Sequence, residues 1–76
     1  MKEFLEFVVK HLVDHPENVV IESEEKEGKH IFKLKVAEGE IGKVIGKRGQ
    51  TATALRVLLK AVAAKDGKRA VLDIIG

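Results

Sequence analysis

An α+β domain with elements in the order helix, strand, strand, helix, helix, strand follows from three features of this 76-residue chain. Apolar residues recur at helical spacing over 1–14 and 50–65, they alternate over 31–36, and a glycine-bracketed turn at 46–49 divides one helical stretch from the next. The length allows one domain, residues 1–76, near the lower end of what folds alone. At 45% hydrophobic and 34% charged, the composition supports a packed core under a charged surface rather than disorder. There is no Cys, which excludes disulfides and thiolate metal sites. No apolar run approaches the roughly 18 residues of a membrane span, and Met1-Lys2-Glu3-Phe4 lacks a signal-peptide pattern, so a cytoplasmic location is expected.

Residues 1–14 predict a helix whose apolar face is Phe4, Leu5, Val8, Val9, Leu12 and Val13, with Pro16 ending it. Phe7 falls off that face, among Glu3, His11 and Asp14, either as a simple exposed ring or as a contact for another protein. His11 and His15 are four apart, a spacing that suits a metal, but no third ligand accompanies them and they read as surface histidines. Residues 19–24 read as a strand, 25–29 as a hairpin loop and 31–36 as the second strand. Phe32, Leu34 and Val36 would face the core with Val19 and Ile21, leaving Lys33 and Lys35 on the face of Glu22 and Glu24 and therefore outside any ligand set.

Glu38-Gly39-Glu40 closes the strand and opens a short helix in which Ile41, Val44 and Ile45 stand at i, i+3 and i+4. The helix over 50–65 is expected to bury Leu55, Leu58, Leu59 and Val62 beside Ala52 and Ala63. Arg56 and Lys60 flank that stripe, as a solvated helix side or as the lining of a groove beside the turn. Asp66-Gly67 ends the helix, a connector with Lys65, Lys68 and Arg69 follows, and 69–75 form the last strand.

The turn carries the chemistry. Gly46 and Gly49 bracket Lys47 and Arg48; without Cβ atoms they admit positive φ and let another molecule approach the main chain, and the next helix begins with free N–H groups that favour an anion. Charge is distributed to match: residues 1–38 hold six Lys against nine acids, net −3, whereas residues 39–76 hold eight basic residues against three acids, net +5. A P-loop is excluded, since Gly42 and Gly46 stand one residue too close and Arg48 replaces the magnesium-binding hydroxyl. A dinucleotide fingerprint fails because Gly-x-Gly never occurs.

Val44-Ile45-Gly46-Lys47-Arg48-Gly49 resembles the signature of the KH domain, a module that clamps about four nucleotides with its Gly-x-x-Gly loop, and the whole chain is about one such domain. It departs at Ala52, where many KH domains carry a larger aliphatic residue. The resemblance implies the prokaryotic (type II) KH arrangement, α-β-β-α-α-β, with a three-stranded sheet packed against three helices and the last strand parallel to the second. It also implies that the connector before the last strand borders the binding groove, and that the chain works as a homodimer or with a second KH-containing partner, as an RNA-binding protein or RNA chaperone in a pathway linked to cell growth and shape.

The expected function is binding of single-stranded RNA without catalysis, cofactor or metal. Gly46 and Gly49 open the backbone, Lys47 and Arg48 hold phosphates, and Ile41, Val44 and Ile45 form an apolar floor for bases; Lys43, Gln50, Arg56 and Lys68 complete the candidate set. The alternatives are a helix-turn-helix reader of duplex DNA, disfavoured because the helix after the turn offers only Gln50, Thr51 and Thr53 amid alanines, and a protein adaptor on the same scaffold. An enzyme is not expected, since no nucleophile-base pair or carboxylate cluster gathers near the turn.

Overall fold

A computed structural model describes residues 1–75. Helix α1 (Lys2–Leu12) buries Leu5 and Val9, one turn apart on a single line. It stops two residues short of the expected end at 14 because Pro16 would drive its ring into the carbonyl of Leu12. Val13 is already extended, at φ −103°, yet stays buried, and Pro16 opens a single 3₁₀ turn, Pro16–Asn18. Phe4 does not join the core: it is exposed, since the buried line runs through Leu5 and Val9 and Phe4 is rotated about 100° from it.

Strands β1 (Val20–Lys26) and β2 (Lys29–Lys35) form an antiparallel hairpin, and β3 (Arg69–Ile75) lies parallel to β2, giving the order β1-β2-β3. The hairpin is tighter than the loop expected over 25–29. Glu27 and Gly28 alone make the turn, at φ 52° and 75°, the pair of positive values a type I′ turn needs to match strand twist. Ile21, Phe32, Leu34, Ala70 and Leu72 are buried under the helices, with Val36 just beyond β2 and Val19 packed at the edge of the core. On the helix-free face Glu22, Lys33 and Asp73 stand in one row, whereas Glu24 faces Ile31 and Lys35 faces Val20. Glu22 and Glu24 thus share this face with Lys33 and Lys35 as expected, but among the described residues the salt bridges lie elsewhere.

The crossover from β2 to β3 is α2 (Ile41–Ile45), a 3₁₀ turn (Lys47–Gly49) and α3 (Gln50–Lys65). The buried line of α3 is Ala52, Leu55, Leu59 and Ala63, where two alanines let the helix sit close to its neighbours. Leu58 and Val62, expected in the core, are 47% and 41% exposed. They lie roughly 100° off the line of Leu59 and Ala63, and a sheet of three strands leaves that flank uncovered. Gly67, at φ 69°, closes the helix with two bonds of 3.0 Å, from its own N–H to Ala64 O and from Lys68 N–H to Ala63 O, the paired pattern of a Schellman cap. Among the described residues no helix is long and apolar enough to cross a membrane.

Candidate nucleic-acid interface

The Gly46–Gly49 turn is held by its glycines in two different ways. Gly46 has φ 78°, and a Cβ there would stand 2.2 Å from Thr51 Oγ1 and 2.6 Å from Thr51 Cβ, so the first turn of α3 packs directly on it. Gly49 has φ 73° with nothing within 4 Å of the Cβ position: it is needed for the backbone turn alone and leaves an open approach. Between them Arg48 itself occupies the left-handed region, at φ 58° and ψ 25°. That region is unusual for a residue with a long side chain. Lys47 and Arg48 are exposed, and among the described residues neither enters a salt bridge.

Beneath the turn the apolar residues of α2 divide. Ile41 and Ile45 are half-buried and present part of their surface beside the loop. Val44 is 0% exposed, so it cannot meet a base; it anchors α2 in the core, a correction to its place in the expected floor. Gln50 is exposed at the start of α3.

Three of the expected cations have protein partners. Lys43 donates to Asp14, which raises the Lys43 ammonium and lowers the Asp14 carboxyl from their ordinary values. Arg56 crosses to the sheet edge, its Nε and Nη2 lying 3.4 and 3.3 Å from the carbonyl oxygen of Leu72 in β3. Lys68 pairs with Glu25 at 2.6 Å, and that bond raises Lys68 and lowers Glu25. Lys68 also lies at the wrong end for direct contact with the turn: the 16 residues of α3 span about 24 Å, with the turn at one end and the connector at the other. The connector instead closes the far end of a hollow between α3 and β3, lined by Lys60, Ala64, Lys68, Arg69 and Val71 among others.

Glu40 was legible only as an acid near a helix start, and the structure gives it a larger part. It is 4% exposed and ties the N-terminal end of α2 to the chain after α1. The N–H groups of Asp14 and His15 donate to its Oε2 at 3.2 and 3.4 Å, and the His15 imidazole bonds Oε1 through Nδ1. Burial by itself raises the Glu40 carboxyl, but the His15 bonds and nearby cations outweigh it and hold the group below its ordinary value, while His15 is raised by the same contact. No linear spacing announces a contact between positions 25 residues apart.

These features, a positive-φ glycine turn with two free cations between a short helix and a long one in an α-β-β-α-α-β frame, meet their match in sequence comparison: the profile of the KhpA/KhpB KH domain covers residues 2–74. The chain belongs to the KhpA/KhpB KH-domain family. Relatives called RNA-binding protein KhpA occur in Chlamydia muridarum, Listeria monocytogenes and Clostridium acetobutylicum. Each is 47% identical over 75 residues, covering 99% of this chain and 96%, 99% and 100% of the relative respectively. No solved structure matches the chain. The prokaryotic KH arrangement expected from the loop signature is the observed fold, and the family is one of KH domains rather than of enzymes.

Proposed function

We propose that this chain binds single-stranded RNA, with the Gly46–Gly49 turn as its phosphate grip and about four nucleotides as the unit held. The observation that carries the reading is the pairing of an open, positive-φ backbone at Gly49 with two exposed cations, Lys47 and Arg48, that enter no salt bridge among the described residues. Phosphates would lie over the turn, with bases resting on Ile41 and Ile45 and reaching along the flank of α3 past Gln50 and Arg56. The relatives called RNA-binding support this class of ligand. Lys43 contributes mainly by bonding Asp14 and so fixing α2. In this reading residues 1–76 form one KH domain that holds single strands open, the work of an RNA chaperone.

One domain gripping so few nucleotides gains little to offset lost freedom, so pairing follows as part of the mechanism, with a second copy or with a KhpB-type KH protein. Val57, Leu58 and Val62 are exposed on α3 around Ala54 and Ala61, a broader apolar surface than Phe7 offers, whose ring already lies against His11 at 4.4 Å between centroids. The outer side of α3 is therefore the favoured assembly face.

Lys47→Asp with Arg48→Asp reverses two charges where phosphates sit, in a turn whose neighbours make the core. The folded double variant is expected to lose at least about tenfold in affinity for single-stranded RNA at low salt. Titration against single-stranded RNA and duplex DNA in parallel checks both ligand and site. Wild-type affinity in the variant removes the turn from the mechanism, and preference for duplex DNA replaces the reading with a helix-turn-helix one.

A further inference from the structure

The end of the molecule farthest from the glycine turn carries a second concentration of positive charge. Lys26, Lys29 and Arg69 are direct neighbours across all three strands. Alternation from the buried Phe32 and Leu34 puts all three on the helix-free face, and all three are exposed. Lys60 and Lys68 join Lys29 and Arg69 around the hollow between the end of α3 and the start of β3. Acids border the row rather than stand in it: Glu24 lies one row inward on the same face, opposite Ile31, and Asp66 lies near Lys68. Glu25 is taken up by Lys68, and Glu27 is the one acid lining the adjoining hollow with Lys26, Lys29 and Arg69. Among the described residues Lys26, Lys29, Lys60 and Arg69 enter no salt bridge.

Like charges placed directly opposite on neighbouring strands destabilise a sheet. The same sheet alternates signs two rows away, at Glu22, Lys33 and Asp73, so the fold has no general need for a uniform row. A row of three cations is stabilised by an anion that spans it. We propose that this corner is a second phosphate-binding surface, taking the backbone of the same RNA strand where it leaves the α3–β3 hollow. The inference rests on the RNA-binding reading above. Continuity favours RNA over an acidic protein surface: Arg56 reaches β3 at Leu72, and Lys60 lines the hollow one helical turn further on, so cations lead from the turn to the corner. With the two ends of α3 about 24 Å apart, no side chain of the corner reaches phosphates seated on the turn, and only a longer strand engages both.

The test is the full chain carrying Lys26→Gln, Lys29→Gln and Arg69→Gln, titrated with single-stranded RNA of about four and about sixteen nucleotides by fluorescence anisotropy. Affinity for the short RNA is expected to stay within about twofold of wild type, while affinity for the long RNA falls at least about tenfold. Its log-log salt slope becomes shallower by about 2, at roughly 0.7 for each phosphate neutralised. Thermal unfolding should be unchanged or shifted upward, because the substitutions remove a repulsive row. A folded variant that binds the long RNA as wild type does overturns the inference and leaves the row to an acidic protein. Equal losses at both lengths overturn it too, since the corner is then not separate from the turn. A wild type that binds neither length defeats the RNA-binding reading itself.

Discussion

Gly46 and Gly49 share a positive φ but face different surroundings, and alanine at each should separate the two. Gly49→Ala meets only the cost of the left-handed region, about 1 kcal/mol, because nothing stands within 4 Å of its Cβ position. Gly46→Ala meets the same cost and a collision with Thr51 at its Cβ and backbone N, which raises the expected loss to about 2–4 kcal/mol. Arg48 gives the opposite signature. Arg48→Gly relieves a strained φ of 58° while removing a cation, so thermal unfolding should stay level or rise by up to about 1 kcal/mol as RNA affinity falls. Denaturation of the three variants side by side checks the order; equal losses at Gly46 and Gly49 would mean that Thr51 yields freely. The glycines themselves were legible as a spacing, but not the reason for each, which lies in a side chain five residues away and in a backbone angle.

At the scale of elements, the contact between Glu40 and His15 links α2 to the chain after α1 and makes their union depend on pH. His15 is raised by folding from its ordinary 6.5, so its contribution is full below that value and fades as pH rises through the folded one. Glu40 is lowered from 4.5, so its contribution is present above that value and is lost as pH falls through the folded one. The groups around the pair, Asp14 and Glu17 beside His15 and Lys43 beside Glu40, leave those signs unchanged. The pair therefore stabilises most between 4.5 and 6.5. The destabilisation caused by His15→Gln should be larger at pH 6 than at pH 9, read from the difference in melting temperature between wild type and variant. A constant difference would show that the imidazole acts only as a neutral donor.

Much of each element could be read along the chain. Alternation over 31–36 placed Phe32 and Leu34 correctly because a strand under helices has one buried face, and its period of two tolerates no drift. Helical periodicity was less decisive. Leu55, Leu58, Leu59 and Val62 fit one apolar stripe on paper, but how wide a stripe is covered depends on what lies opposite, and three strands cover only the line through Leu55 and Leu59. The uncovered remainder yields its own expectation: Leu58→Asp should dissociate a self-associated species in sedimentation while Phe7→Glu leaves it intact. A reversed outcome moves the assembly face to α1. The candidate cations show the same boundary. Lys43, Arg56 and Lys68 were visible as charges, yet their partners Asp14, Leu72 and Glu25 lie 29, 16 and 43 residues away, and only the folded chain brings them together.

For the molecule as a whole, the fold redistributes the charge asymmetry of the sequence, since Lys26 and Lys29 of the acidic half stand in one row with Arg69 of the basic half. Among the described residues Lys47 and Arg48 at the turn and Lys26, Lys29 and Arg69 at the opposite corner enter no salt bridge, whereas Glu25, Asp14 and Glu40 are occupied in holding elements together. A nucleic-acid ligand would then meet an open turn in which Lys47 and Arg48 stand exposed with no acid between them. The most direct measurement is a titration of the isotopically labelled full chain with single-stranded RNA, following backbone amide shifts by NMR. The shifts should be largest at Gly46 to Gln50 and continue along the α3 flank past Arg56, with the Leu5–Val9 side of α1 unmoved. Shifts centred on α1 or on the outer side of α3, with the amides of Lys47, Arg48 and Gly49 silent, would contradict the glycine turn as the nucleic-acid grip.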